Sequence, residues 1–412
     1  MNYSFTQNRT ITVMPYNSNH SENYSNLDTT DLLRRLNDGK VVVLLPVIIL
    51  VFLMMIIGII GNTIVCIVYI FKIKRAPSHY FILYLAILDL VSCSIGMPSE
   101  LADLFQPFVF PSAAACKFLR FVLSFTIISS CIILICVAFD RYYKVCKPLK
   151  SFPMAKVQKL CLFSFFIGAV FSWPALVIYG LRNALTSVPN LYGQECSTSD
   201  TMKGKPWPLI YYGTLIGAFT ITFAIFVTLY VLIGREINRR RTMFVGSRIN
   251  NDRIKSLVSE EESTTFSDDD SKFHKNKVRK SSSFSQLKEH IVYYFRAESE
   301  PGKGDDSNNV SSNGGTVKRR RKSSRRYLRT TYIFLAVFIA FLVSFVPYLV
   351  VNILRFSKVA FVDMNSGPDE IIYNLCVRSY FISNFINPII YSLMNNTFRK
   401  ESKKLLRKCR LN

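Results

Sequence analysis

From Val41 to Phe71 the chain carries no charged residue, a run too long and too apolar for a helix in water. About twenty such residues cross the hydrocarbon core of a bilayer. Six further stretches share the pattern, at about 78–105, 114–145, 155–180, 207–234, 330–354 and 370–394. The pattern predicts an all-α membrane protein, a seven-transmembrane helix bundle. It divides the chain into a polar tail at 1–40, helices one to five with their loops at 41–234, a long insert at 235–329, helices six and seven at 330–394, and a last segment at 395–412. Residues 1–40 hold no apolar signal-peptide core, so no cleavable leader is expected.

Composition explains how the runs are arranged. Half of the 412 residues are hydrophobic, yet 51 Lys and Arg face 27 Asp and Glu, a formal net charge of +24. Apolar and charged residues must therefore be segregated. Lys72, Lys74 and Arg75 follow the first run, and Arg141, Lys144, Lys147, Lys150, Lys156 and Lys159 surround the connection from the third to the fourth. The positive-inside rule puts both connections in the cytoplasm and the amino terminus outside, as in a multi-pass plasma-membrane protein. Four glycosylation sequons, at Asn2, Asn8, Asn19 and Asn23, agree with that orientation. The insert is then cytoplasmic. Its acidic and hydroxyl-rich stretch from Ser259 to Ser271 and its basic runs at Arg239–Arg241 and Lys318–Lys322 predict disorder. A basic segment there faces anionic membrane lipids and acidic partners, and the nucleic-acid reading of the charge loses its support.

Of the ten cysteines, Cys66, Cys93, Cys131, Cys136, Cys161 and Cys376 fall in apolar runs as small hydrophobes, and Cys146 and Cys409 are cytoplasmic. Cys116 and Cys196 share the oxidising side, where a bridge would tie the loop after helix four over the mouth of the bundle. No Cys or His spacing marks a metal site, and no nucleophile, base or metal set marks an enzyme.

Several motifs occur in order. Gly61-Asn62 lies in helix one, Leu85-Ala86-Ile87-Leu88-Asp89 in helix two, Asp140-Arg141-Tyr142 at the end of helix three with Pro148-Leu149 beyond it, Trp173-Pro174 in helix four, and Asn387-Pro388-Ile389-Ile390-Tyr391 in helix seven. Together they resemble the rhodopsin-like (class A) G-protein-coupled receptors. Asp89 is an ionisable residue in mid-membrane, which needs partners. Asn62, Ser130, Ser383, Asn384 and Asn387 are available. The resemblance implies that this cluster holds an allosteric sodium ion; the alternative is a purely structural network that binds helices together. Ser383-Asn384 reverses the usual order of the two residues.

The resemblance also implies a heterotrimeric G protein as partner. Arg141, held by Asp140, would be released on activation to pack near Tyr230 and Tyr391. Many relatives place an acid at the base of helix six, where Tyr327 stands here among Arg325, Arg326 and Arg329. That departure implies an inactive state without a second salt bridge, and measurable basal signalling. Phe341, Ser344, Phe345 and Pro347 match the helix-six switch, with a proline kink for a pivot. In helix five, Thr222 replaces a proline.

Exclusions narrow the ligand. Phe381 stands where opsins carry the retinal lysine, and Leu123 where amine receptors carry an aspartate. Polar residues near the outer mouth are Glu100, Asp103, Asn352, Arg355 and Arg378. Asn352 and Arg355 are spaced as in the cholecystokinin, orexin and neuropeptide FF receptor group, which implies an extracellular peptide ligand, with Glu100 facing a basic ligand residue. A receptor for a small molecule or lipid is the alternative; a seven-helix channel or transporter would show repeats or charge rings. Beyond Tyr391, Phe398, Leu405 and Leu406 among basic residues predict a short amphipathic eighth helix on the membrane, with Cys409 suited to palmitoylation. Ser281–Ser283 and Ser323-Ser324 follow basic residues. They resemble basic-directed kinase sites, and receptor kinases and arrestin are expected to act through this third loop.

Overall fold

The computed structural model describes residues 29–73, 76–147, 152–261, 314–356 and 367–411, with backbone alone at 241, 243–261, 314–328, 356 and 409–411. The sequons at Asn2, Asn8, Asn19 and Asn23 and the serines Ser281–Ser283 lie outside the described residues. So do the side chains of Ser323, Ser324, Tyr327 and Cys409.

Span one is α1 (Thr29–Phe71), which starts well ahead of the apolar run. It is apolar on every side, but only one stripe is buried: Leu44, Val47, Val51, Met54, Gly58, Asn62 and Val65. Ile49, Phe52, Leu53, Ile56 and Ile60 on the opposite side are exposed. A bilayer accepts that outer face, so the small and polar residues choose which side turns inward. Gly61 is one such choice, since a Cβ there would meet the Pro388 ring at 2.9 Å.

Span two is α2 (Pro77–Val91), a π-helical turn over Ser92–Gly96, and α3 (Met97–Phe105). Pro98 has no N–H to continue the α ladder, and a π turn absorbs the missing bond while rotating the residues that follow. Span three is α4 (Ala113–Cys146), capped by Ser112 Oγ accepting from the Ala115 amide at 3.3 Å. Span four joins α5 (Met154–Ser172) to the single turn α6 (Ala175–Ile178) across Trp173-Pro174. The apolar run expected to reach residue 180 stops there, and Tyr179 starts a hairpin. Its strands, β1 (Tyr179–Leu185) and β2 (Tyr192–Thr198), pair antiparallel with Leu181 opposite Cys196.

Spans five and six belong to α7 (Trp207–Glu261) and α8 (Gly314–Phe356). Span seven is α9 (Gly367–Val377), a 3₁₀ turn over Ser379–Phe381, and α10 (Ile382–Met394); α11 (Asn396–Leu411) follows. Among the described residues, six helical stretches are long and apolar enough to cross a membrane; the seventh span is built from two shorter pieces that meet at Arg378 and the turn after it.

Two compact units result, residues 1–236 with 327–412, and residues 237–326. The first holds the bundle, cored by Phe81, Leu88, Ile133, Phe226, Phe334 and Tyr391. Within the second, helix continues to Glu261 and resumes at Gly314, so the helical parts of the insert flank the stretch at 262–313, whose predicted disorder lies outside the described residues.

Candidate functional site

A charge inside an apolar bundle is costly unless it is paired, and the half of this bundle nearer the hairpin gathers four charged side chains into one cluster. Glu100 on α3 forms ion pairs with Arg120 of span three and, at 3.0 Å, with Arg378 of span seven. Asp103 Oδ2 lies 3.3 Å from Arg120 and 3.4 Å from Arg378. Arg120 also donates to the carbonyl of Cys196 at 3.3 Å, and Arg378 to Asn374 Oδ1 at 2.6 Å. The quartet is thus neutral and joins spans two, three and seven to the hairpin. Its inner members are nearly sealed, with Glu100 3% and Arg378 7% exposed, whereas Arg120 and Asp103 are about one-fifth exposed.

Above the quartet lies the hairpin, tethered by the Cys116–Cys196 disulfide. Gly193 packs so closely on the loop after span two that a Cβ would meet Phe108 at 2.7 Å. Gln194 exchanges backbone bonds with Phe108 and Phe110 in that loop. Arg182 pairs with Glu195 across the strands. Asp200, beyond the hairpin, accepts from Lys203 and from the Asn183 amide, and those bonds hold its carboxyl below the usual range. Below the quartet the packing turns aromatic. Tyr380 lies tilted on Phe345 at 6.0 Å and edge-on to Tyr348 at 5.7 Å, and Phe345 is tilted on Phe341 at 4.5 Å and stacked on Phe219 at 5.8 Å. Arg355 donates to Tyr373 Oη at 2.6 Å while lying 4.8 Å from its ring centroid, and Asn352 donates to the Tyr348 carbonyl of its own helix.

Deeper in the bundle, Asp89 Oδ2 accepts from Asn387 Nδ2 at 2.8 Å. Asn62 donates to the Asn384 carbonyl at 2.9 Å, Asn384 donates to Ser92, and Ser383 donates to Asn384 Oδ1 at 3.1 Å. Asp89, Ser130, Ser383, Asn384 and Asn387 line a small cavity together with Leu85, Leu134, Val337 and Phe341.

At the end of the bundle opposite the hairpin, Asp140 pairs with Arg141 and, at 2.8 Å, with Lys144. Arg141 is buried with its guanidinium 5.0 Å from the Phe334 ring centroid. Tyr142 meets Tyr143 edge-on at 5.7 Å. Phe226, Phe338 and Tyr230 stack beside them, with 4.0 Å between the first two rings. The buried hydroxyls of Tyr230 and Tyr391 have no partner among the described residues.

The family model described as "7 transmembrane receptor (rhodopsin family)" matches residues 61–391. The chain belongs to this family. It is 24% identical over 221 residues to neuromedin-U receptor 1 of Homo sapiens, covering 52% of this chain and 51% of that receptor. The mouse (Mus musculus) neuromedin-U receptor 1 is 24% identical over 203 residues, 48% of this chain and 47% of its own. The human vasopressin V1b receptor is 29% identical over 169 residues, 40% and 38% of the two chains. The matches thus span about half the length of the neuromedin-U receptors.

Within this rhodopsin-family chain the motif residues assemble where the sequence places them: the Asp89 cluster, the Asp140–Arg141 pair and the Phe341–Phe345 stack below Pro347. Pro388 packs on Gly61, and Cys116 and Cys196 are bridged. The five outer residues divide. Glu100, Asp103 and Arg378 come together, while no hydrogen bond among the described residues joins Asn352 or Arg355 to them. Glu100 is also not open to a basic ligand group, because both its oxygens are taken by arginines. Sequence reasoning missed Arg120, although a charge four residues into span three from Cys116 follows the same rule that picked out Asp89. It also missed Lys144, Ser92 and Tyr373, whose partners are polar residues on other turns.

Proposed function

We propose that the protein is a cell-surface receptor that binds an extracellular peptide and activates a heterotrimeric G protein by outward movement of span six. The neutral quartet beneath a tethered hairpin carries this reading. A site with paired carboxylates and guanidinia, an Arg355–Tyr373 pair on another wall and an aromatic floor suits a ligand with several polar groups and an apolar side chain. Two sets of relatives are named for peptide ligands, neuromedin U and vasopressin, and comparable chemistry is proposed here. The aromatic column from Tyr380 through Phe345 and Phe341 toward Phe338 and Tyr230 supplies a packed path from the site to Arg141, which can adopt a second arrangement only if span six moves.

The cavity at Asp89 offers hard oxygen donors: one carboxylate, the Ser130 and Ser383 hydroxyls and the Asn384 amide oxygen. That set suits a sodium ion better than any soft metal. When bound, the ion would supply counter-charge to Asp89 and favour the closed bundle. Arrestin and receptor kinases acting on the third loop, palmitoylation of Cys409, glycosylation of the tail, lipid contact by α11 and plasma-membrane residence complete the proposal.

The test is a panel of synthetic neuropeptides, amidated and free-acid, applied to cells expressing the chain, with calcium and cyclic-AMP readouts. A saturable response to one peptide class is expected. Lipid or small-molecule agonists acting where all peptides fail would overturn the peptide reading, and ion flux from reconstituted protein would overturn the receptor reading.

A further inference from the structure

The base of span six carries no acid, so the partner that holds it closed must be sought elsewhere. Arg329 Nε donates to the carbonyl oxygen of Met394 at 2.8 Å. Met394 is the last residue of α10. The final carbonyls of a helix have no partner within it and carry the negative end of its dipole, where an arginine is favourable. Arg329 therefore caps span seven from span six.

The receiving end is firmly built. The Asn395 amide donates to the Tyr391 carbonyl at 2.9 Å. Asn395 Nδ2 donates to Tyr69 Oη of span one at 2.9 Å, and its Oδ1 accepts from the Phe398 amide at 3.2 Å. Phe398, 1% exposed, lies 5.9 Å from the Tyr69 ring and 6.3 Å from that of Tyr391. Met394 is thus flanked by a junction that hydrogen bonds and ring packing fasten to span one and α11.

We propose that the bond from Arg329 to the Met394 carbonyl is an autoinhibitory strap, holding the base of span six against this junction and breaking when the receptor signals. The proposal rests on the receptor reading above. Opening the bundle separates a guanidinium from the carbonyl it caps, so the strap weights the equilibrium toward the closed state by the strength of one charge-assisted hydrogen bond. It restrains the basal signalling that the missing acid would otherwise allow. Arg329 acts through span seven, and Arg141 is held separately by Asp140.

The test uses the full chain in lipid nanodiscs without agonist. Arg329→Met keeps length and removes the donor; Arg329→Gln keeps polarity and removes the charge; Arg329→Lys keeps charge and one donor. Two quantities are measured: nucleotide exchange on a panel of purified heterotrimeric G proteins, and the distance between spin labels on the base of span six and on Lys400. Arg329→Met and Arg329→Gln are expected to raise agonist-free exchange about tenfold, equivalent to about 1.4 kcal/mol, and to lengthen the distance, with Arg329→Lys between them and the parent. Parent-like distance and exchange in whichever of the Met and Gln variants folds overturns the strap. A longer distance with no exchange on any G protein, in parent or variant, supports the strap and overturns the receptor reading instead.

Discussion

At the scale of single residues, the outer quartet is held by balance rather than by attraction alone. Glu100 gives each oxygen to a different arginine, and removing its charge leaves two arginines, Arg378 sealed and Arg120 partly exposed, against Asp103 alone. Glu100→Gln is expected to cost about 3 kcal/mol, seen as a fall in Tm of the purified protein. The charge-restoring double change Glu100→Gln with Arg378→Gln should recover part of the loss, and equal Tm values for single and double variants would show that the pair is not coupled. Asp89 lies under the same rule with a different partner set. If its cavity holds sodium, Asp89→Asn abolishes the dependence of agonist affinity on sodium, measured by exchanging sodium chloride for an organic-cation chloride at constant ionic strength. Asp89 was legible from sequence because it is a lone acid in an apolar run. Arg120 obeys the same logic, but its partners lie on span two beyond the π turn at Ser92–Gly96, a turn that the apolar pattern does not reveal. Arg329 had no legible partner at all, since a backbone carbonyl leaves no mark on the sequence.

Among elements, the hairpin is the one that periodicity did not predict. The sequence of β1, Tyr-Gly-Leu-Arg-Asn-Ala-Leu, lacks β-branched residues and clean alternation, so its strand conformation comes from what it is fastened to. The fastening is the disulfide to span three, the Arg120 bond to the Cys196 carbonyl and the contact of Gly193 with Phe108. Gly193→Val places a branched side chain where even a methyl group collides with both the side chain and the backbone of Phe108. The change should destabilise the hairpin seat by about 1–3 kcal/mol, detected as faster amide exchange from Tyr192 to Thr198 with the helices unchanged. The helices themselves were legible because a membrane demands long apolar runs. Span seven was found in position but not in construction: Arg378 and the turn after it divide it in two, a price of bringing a charge to the quartet.

Across the bundle, the ties are unevenly distributed, and the asymmetry bears on how the molecule would move. Asn37 of α1 donates to the Phe105 carbonyl at 3.0 Å and accepts from the Phe108 amide at 3.3 Å, while Lys40 pairs with Glu370 of span seven at 3.0 Å. Phe108 is joined to the hairpin, the hairpin to span three, and span three through the quartet to spans two and seven. Covalent, ionic and hydrogen-bond links together therefore close a ring through spans one, two, three and seven. Span five meets the hairpin through neutral Tyr212 bonds to Tyr179 and Thr198 at 3.0 and 3.1 Å. Besides the Arg329 bond to the Met394 carbonyl, span six reaches span seven through the Ser379 bond to the Ser344 carbonyl at 2.7 Å and the Arg355–Tyr373 contact. Only 22% of the apolar window of span five is buried, against 56% for span two. Segments with fewer buried contacts open at lower free energy. Spin-label pairs at the outer ends of spans two and seven are therefore expected to give one narrow distance distribution with or without agonist. Pairs from span two to span five or six should be broader and shift when agonist is added. Equal breadth in both sets would mean that the ionic ring does not set the rigid half of the bundle, and that lipid contact rather than internal pairing governs which helices move.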